Sequence, residues 1–290
     1  MRMYPLYRTL VLMFFLLVFS LLADAADTLK IHQTIKHMLT SSGQPYKQVT
    51  IKQKFFTMDD TLFREIDYSE TTGQISSYMF YFYRDGRLFT QEYHNANDSL
   101  EYILKHEYDQ AGNEILLTKL IPGLKKFVIA EKTVKRYNND QKLLQQKIIY
   151  GKRVGYITRY VYNESGLPES EKDSYKPVAN AQVKQETKEC SYSPDNRIAR
   201  VFITGKSLSD KPYEYAEEYG YNDKGLISSV KKVNSNNAKE GEKIYKYNSA
   251  GTISNYEEHN AEGILTLLLQ YEYKKHYMNR GIQISHYEDF

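Results

Sequence analysis

YNDKGLI (residues 221–227) and YNSAGTI (residues 247–253) are two copies of the short pattern that decides the fold of this chain. In each copy an aromatic residue is followed by Asn, a short polar stretch, a Gly and an aliphatic residue. Asn and Asp can hydrogen-bond the backbone two residues on, and Gly accepts the positive φ of a tight reversal. The pattern therefore predicts a hairpin turn between two strands.

The same pattern recurs along the chain, with copies beginning mostly 25 to 30 residues apart. The other clear copies are YRDGRL (83–88), YDQAGNEI (108–115), YNNDQKLL (137–144), YNESGL (162–167) and YSPDNRI (192–198). Two weaker copies flank them, YSETTGQI (68–75) and HNAEGIL (259–265). Seven of the 15 glycines hold one motif position, where we predict a structural role in the turn: Gly73, Gly86, Gly112, Gly166, Gly225, Gly251 and Gly263. Asn196 and Gln141 stand in where Gly is missing, and Asn tolerates positive φ better than Gln does.

The aromatic that opens each clear copy is a tyrosine. We predict a structural packing role for these residues: Tyr83, Tyr108, Tyr137, Tyr162, Tyr192, Tyr221 and Tyr247. The residue two positions earlier is often aromatic too, as Tyr219 is before Tyr221. Side chains two apart in a strand share a face, so the rings are predicted to form one tyrosine-rich face. Tyrosine suits a half-wet sheet because its ring packs while its hydroxyl stays at water. An aromatic platform for a glycan or peptide is the alternative interpretation.

A second class of polar turn lies between the motif copies, for example at residues 94–98, 205–210 and 234–241. Each repeat is therefore predicted to be two strands, with motif turns at one edge of the sheet and variable loops at the other. The predicted fold is all-β: a long antiparallel meander of roughly 14 to 18 strands in a twisted or rolled sheet. Residues 27–39 depart from this pattern. Ile31 and Ile35 fall at helical spacing there, which predicts a short N-terminal helix that seals the first edge strand.

The first 25 residues have the three parts of a secretory signal. Arg2 and Arg8 precede an apolar run over residues 10–22, and small residues follow at 23–25. The run is shorter than a spanning helix needs, although an uncleaved anchor is the alternative. We predict three segments: a signal peptide (1–25), an N-terminal cap segment (26–58) and a β-repeat domain (59–290).

Composition argues against several classes of protein. The 39 basic and 36 acidic residues lack the basic excess of a nucleic-acid surface. The single cysteine, Cys190, excludes a disulfide framework. The seven histidines lack zinc-site spacing, and no Gly-x-Ser-x-Gly elbow occurs. Acidic doublets such as Glu217-Glu218 point to opposite faces of a strand. We therefore predict no catalytic residue, no cofactor and no metal ligand.

The pattern Tyr-[Asn/Asp]-x-x-Gly-x-[Leu/Ile] resembles the YD repeat of the RHS-repeat proteins over about residues 60–270. MORN-like and YwqK-like repeats are the nearest competing families. The resemblance implies a long antiparallel sheet that coils into a spiral or shell, used at cell surfaces and around secreted toxins. The chain departs from the family in having only about nine copies. The basic residue that usually follows the Gly is present as Arg87 but is Asn113 or Leu167 elsewhere.

The leading functional hypothesis is an exported, non-enzymatic repeat protein of a Gram-negative-type bacterium. It would act in the periplasm or at the cell surface, where its sheet face or loop edge binds protein or glycan. No nucleic-acid partner and no stable membrane insertion after signal cleavage are expected. An outer-membrane β-barrel is the first alternative, favoured by strand number and the terminal Phe290 and opposed by charge or amide on both faces of residues 131–137. An enzyme of unknown class and an immunity or inhibitor role toward a secreted effector are the others.

Overall fold

The computed structural model describes residues 28–175 and 183–277, and all of their regular structure is β-strand. The predicted signal peptide, the turn at 177–180 and the terminal Phe290 lie outside the described residues. Eighteen strands follow one another in an antiparallel meander. Their bounds are β1 (Thr28–Leu39), β2 (Pro45–Phe56), β3 (Leu62–Tyr68), β4 (Ile75–Arg84), β5 (Arg87–Asn95), β6 (Leu100–Tyr108), β7 (Glu114–Pro122), β8 (Phe127–Tyr137), β9 (Leu143–Tyr150), β10 (Arg153–Tyr162), β11 (Pro168–Tyr175), β12 (Val183–Tyr192), β13 (Ile198–Ser207), β14 (Pro212–Tyr221), β15 (Ile227–Asn234), β16 (Lys239–Tyr247), β17 (Ile253–Asn260) and β18 (Leu265–Tyr277).

The sheet closes on itself. Strand β1 pairs with β2 on one side and antiparallel with β18 on the other, in a register that runs from Thr28 opposite Tyr277 to His37 opposite Leu268. Over residues 28–175 and 183–277 the result is an 18-stranded barrel whose wall has no open sheet edge. The predicted all-β antiparallel meander agrees with this architecture. The rolled sheet that we predicted is, more specifically, a closed barrel.

The predicted N-terminal helix is wrong, because residues 28–39 form strand β1. Ile31 and Ile35 are both buried in the wall. Residues four apart share a face in a strand as well as in a helix, so their spacing does not separate the two structures. Residues 28–39 form a strand because their backbone pairs with β2 on one side and with β18 on the other. The predicted cap segment 26–58 therefore contributes β1 and β2 to the barrel wall.

The turns lie at two rims. The seven clear motif copies all turn at one rim, which we call the motif rim, and β1 begins and β18 ends there. The turns at 94–98, 205–210 and 234–241 lie at the opposite rim, which we call the loop rim. The two weaker copies, 68–75 and 259–265, form turns as predicted but lie at the loop rim, so the prediction that all copies turn at one edge of the sheet was wrong for these two. A turn's chemistry is local, whereas its rim is set by the number of strands that precede it.

Each motif tyrosine stands at a β-bulge. The strand register shifts immediately before all seven of them: Tyr83, Tyr108, Tyr137, Tyr162, Tyr192, Tyr221 and Tyr247. A bulge gives one strand an extra residue, bends it and increases its local twist. Repeated around the sheet, the bulges supply curvature that lets β18 return to β1.

The wall is a single sheet thick. Within residues 28–175 and 183–277, Cα atoms of different strands approach to 8 Å only between hydrogen-bonded neighbours. The buried apolar side chains are small to medium in size, as with Ile203 and Ala216. Cross-strand pairs therefore carry much of the side-chain packing. The rings of Tyr93 and Tyr102, for example, stack with their centroids 4.7 Å apart.

Candidate functional site

Five of the seven motif turns are closed by the side chain of an Asn or Asp, Ser193 takes that place in the copy at 192–198, and every copy has a residue with positive φ. In the copy at 221–227, Asn222 Oδ1 accepts hydrogen bonds from the backbone N–H groups of Lys224 and Leu226, both at 3.0 Å. The N–H of Gly225 donates to the carbonyl of Asn222 at 2.8 Å. Gln141 and Asn196 adopt positive φ in place of glycine, each at 61°. The seven glycines that we assigned to the turns have φ between 71° and 91°: Gly73, Gly86, Gly112, Gly166, Gly225, Gly251 and Gly263.

The motif tyrosines join consecutive hairpins. The hydroxyl of Tyr221 donates to the carbonyl of Ile198 at 2.8 Å, and Ile198 is the first residue of the strand that follows the preceding motif turn. This carbonyl lies beside a bulge, where the strand ladder is locally disrupted. The same bond to the preceding hairpin is made by Tyr108, Tyr137, Tyr162, Tyr192 and Tyr247. In six of the seven clear copies the motif tyrosine thus fastens its repeat to the one before it.

Basic side chains cover several of these rings. Arg87, the basic residue after Gly86, lies with its guanidinium 5.7 Å from the ring centroid of Tyr108 in the next copy. Lys142 lies over Tyr162 at 5.5 Å in the same way. Arg197 lies 5.4 Å from the ring of Tyr221. Sequence reasoning missed the last two because they follow Gln141 and Asn196 rather than Gly; alignment on the positive-φ position would have found them.

We expect Tyr221→Phe to lower the free energy of unfolding by about 1 kcal/mol, the usual net value of one hydrogen bond. The change keeps the ring and removes only the bond to Ile198. Tyr83→Phe is the matched control, because the Tyr83 hydroxyl makes no hydrogen bond among the described residues. Urea unfolding followed by circular dichroism measures both. Equal effects of the two substitutions would contradict the proposed link between hairpins.

The face that carries Tyr219 and Tyr221, which we call the tyrosine face, also holds a histidine network. His106 is only 8% exposed, and its Nδ1 contacts a carboxylate oxygen of Glu114. Its Nε2 lies 3.0 Å from Oε1 of Gln91, and the second oxygen of Glu114 accepts a hydrogen bond from Lys135. Burial acts to raise the pKa of Glu114, but the hydrogen bonds from Lys135 and His106 outweigh it and the pKa is lowered.

A second charged cluster lies on the tyrosine face between β11 and β14. Lys188 Nζ is 2.7 Å from Glu171, and the Tyr213 hydroxyl donates to Glu186 at 2.6 Å. Burial, together with Glu186, raises the pKa of Tyr213. Asp173 is only 3% exposed beside Glu186, and its Oδ1 has no hydrogen-bond partner among the described residues. Three carboxylates around one ammonium give this part of the tyrosine face a negative charge.

Charge is present on both faces of the wall. On the tyrosine face Glu217 lies opposite Lys232 in the strand register, and on the opposite face Arg200 forms an ion pair with Glu218. The opposite face also brings Arg159 next to Lys172, and Lys231 next to Glu242. The barrel therefore lacks a continuous apolar band on either face over these strands.

Several hollows indent the wall. One of about 380 Å³ lies beside the bulge of β2 and is lined by amide, hydroxyl and aliphatic groups, including Gln53 and Tyr68. A smaller one of about 170 Å³ brings Glu217 and Glu258 together with Lys232. The acidic doublets Glu217-Glu218 and Glu257-Glu258 thus each contribute one carboxylate here, a convergence that the sequence does not reveal because the two strands are far apart in the chain.

The described ranges contain no group of three or more His, Cys, Asp or Glu side chains arranged to hold a metal ion.

No helix in the described part of the chain is long and apolar enough to cross a bilayer.

No protein-family model matches the chain, and no curated protein matches it either. Several solved structures are similar to it. A porin-like protein from Bacteroides vulgatus is 9% identical, with 83% of this chain and 97% of that chain covered and a TM-score of 0.40. A porin-like protein from Bacteroides uniformis is 12% identical, with 84% and 97% covered and a TM-score of 0.32. The TcdB2-TccC3 structure is 8% identical with a TM-score of 0.31; the match covers 82% of this chain but only 16% of that one.

Proposed function

We propose that this chain is a barrel protein of the bacterial cell envelope, whose closed wall surrounds a polar lumen that holds or passes polar solutes. The observation that carries the proposal is the pairing of β1 with β18. Barrels of about 16 to 18 strands are wide enough to leave an aqueous channel. An open sheet would offer a face or an edge to a partner, as in the leading hypothesis from the sequence, whereas a closed wall turns one whole face inward.

The closed wall of the barrel supports a location in the outer membrane. Bacterial outer-membrane barrels are closed antiparallel meanders with an even number of strands, and their spanning strands have about 9–11 residues. This barrel has 18 strands, which range from 7 to 13 residues in length. A channel across the outer membrane is therefore the first candidate function.

The charged residues of the wall support a second candidate, a water-exposed barrel in the periplasm or at the cell surface. Pairs such as Arg200 with Glu218 and Glu217 with Lys232 place charge on both faces, so whichever face is outward carries charge. A basic residue facing lipid at midplane costs about 2–4 kcal/mol. Such a barrel would hold a protein segment or a glycan as its partner. Export in both candidates rests on the predicted signal peptide, and a non-enzymatic role is part of the proposal.

Cross-linking tests the closed wall. Gln33 lies opposite Glu272 between β1 and β18. In a Cys190→Ser background, we expect Gln33→Cys with Glu272→Cys to react with a short bifunctional thiol reagent within one chain. Gln33→Cys with Lys246→Cys is the control, because Lys246 lies in β16, two strands away from β18. Equal yields in the two pairs would rule out closure and with it the proposal.

Cell fractionation separates the two candidates. Release of the protein by osmotic shock without detergent would establish the barrel in water and exclude the membrane channel. Retention in the membrane fraction until detergent is added, together with conductance in planar bilayers, would establish the channel.

A further inference from the structure

The hairpin tip between β7 and β8 is the longest exposed run in the described chain. All nine residues from 121 to 129, which we call the rim hairpin, are exposed. Leu124 is fully exposed, and Phe127, Val128 and Ile129 are 43%, 43% and 51% exposed. Adjacent strand residues point to opposite faces, so exposure of these three in a row leaves neither face of the hairpin covered. The rim hairpin therefore projects from the loop rim.

The apolar content of the rim hairpin distinguishes it from the rest of the surface. Single exposed aliphatic residues are ordinary on soluble proteins, and Leu208, 46% exposed in another loop of the same rim, is one of these. Contiguous exposed apolar residues instead mark interaction sites. Here Ile121, Leu124 and residues 127–129 are contiguous in space, because Ile121 pairs with Val128 across the hairpin.

The charge of the rim hairpin itself is positive. Lys125 and Lys126 form the tip, and no acidic residue occurs between Glu114 and Glu131. The neighbouring turn between β9 and β10 adds Lys152 and Arg153, both exposed, next to the partly exposed Tyr150. A partner that is both apolar and anionic therefore complements the rim hairpin.

We propose that the rim hairpin docks on an anionic lipid surface, with Leu124 and Phe127 entering the headgroup boundary and the lysines meeting the headgroups. A bilayer interface surrounds an inserted tip and so covers apolar side chains on both of its faces. A flat protein surface covers one face of the tip and leaves the other exposed. Apolar insertion combined with electrostatic attraction is the general basis of interfacial binding. This inference goes beyond the proposed function and does not depend on what the lumen holds.

Vesicle sedimentation tests the proposal with the purified protein. We expect binding to vesicles of phosphatidylglycerol and phosphatidylcholine, and little binding to phosphatidylcholine alone. Leu124→Asp should weaken partitioning at least about 10-fold, since it removes the inserted side chain and adds a charge that the surface repels. Neutralising Lys125 and Lys126 with glutamine should weaken it about 30-fold, from the usual contribution of two basic residues near such a surface. Leu208→Asp, at a similarly exposed leucine of the same rim, should leave binding unchanged.

Several results would overturn the proposal. Equal binding by wild type and Leu124→Asp would do so, because binding through the barrel wall or through charge elsewhere does not depend on this residue. Loss of binding with Leu208→Asp would also do so, since it would show a general effect of rim charge. A change in oligomer size with Leu124→Asp and no change in vesicle binding would assign the hairpin to self-association. Circular dichroism of each variant confirms that the barrel has folded.

Discussion

Proline at either of two adjacent positions in β1 is expected to lower the free energy of unfolding by roughly 3 kcal/mol. The positions are Gln33 and Thr34, which lie between β2 and β18 in the closed wall. Backbone N–H groups of neighbouring residues in a strand point to opposite sides, so one proline removes a bond to β2 and the other a bond to β18. Proline within sheets is tolerated essentially on edge strands, and β1 is not one here.

The pair of prolines separates a closed barrel from an open sheet. In an open sheet, one of the two N–H groups would face solvent, and its replacement would cost far less than the other. Gln33→Ala and Thr34→Ala are the controls, because they account for each lost side chain, including the hydrogen bond from Gln33 to Thr50. Urea unfolding of the four variants provides the comparison. A large loss with one proline and a negligible loss with the other would show that β1 is an edge strand.

The turns of this fold could be predicted because their chemistry is local. Asn222 and Gly225 act on backbone groups within the same seven residues, so the sequence of one copy is sufficient to predict its turn. The hydroxyl of Tyr221, in contrast, bonds Ile198, which belongs to the preceding hairpin. Its ring could be assigned to packing from the strand period, but its link to another repeat needed the register.

Closure could not be predicted, because it depends on strands at opposite ends of the chain. The sequence of residues 28–39 does not indicate that Gln33 lies opposite Glu272. The bulges before the motif tyrosines also escaped prediction, since one extra residue in a strand changes the register without changing the composition. Because the bend per repeat was unknown, the pattern did not show whether the sheet is open, rolled or closed.

The histidine network shows the same limit. His106 occupies the position two before a motif tyrosine, where other copies carry an aromatic residue such as Tyr219. The structure places it against Glu114, the first residue after the same turn, because the bulge at Tyr108 brings the two side chains to one face. Lys135 arrives from the next strand pair. The sequence of a single copy therefore suggests the contact between His106 and Glu114. The contact between Glu114 and Lys135 becomes evident only from the pairing of neighbouring strands.

We expect Glu114→Gln to lower the free energy of unfolding by about 2 kcal/mol at pH 7, because it weakens two charge-assisted hydrogen bonds. Glu107→Gln is the matched control, since Glu107 is an exposed residue adjacent to His106 that points to the other face. Urea unfolding of the wild type and both variants at neutral pH measures these losses. An equal loss with Glu107→Gln would show that the change in net charge, not the network, is responsible.

The pH dependence of this loss gives a second, independent readout. The pKa of Glu114 is lowered from its ordinary value of 4.5 in the folded state, where Lys135 and His106 favour the carboxylate. A group with a depressed folded-state pKa stabilises the protein above its unfolded-state pKa and ceases to do so as the pH falls through the folded-state value. The difference between wild type and Glu114→Gln should therefore be full above about pH 5 and shrink steadily below it. If the stability difference between wild type and Glu114→Gln stays constant down to about pH 3, Glu114 acts through packing. The ion pairs of the histidine network would then not contribute to the stability of the protein.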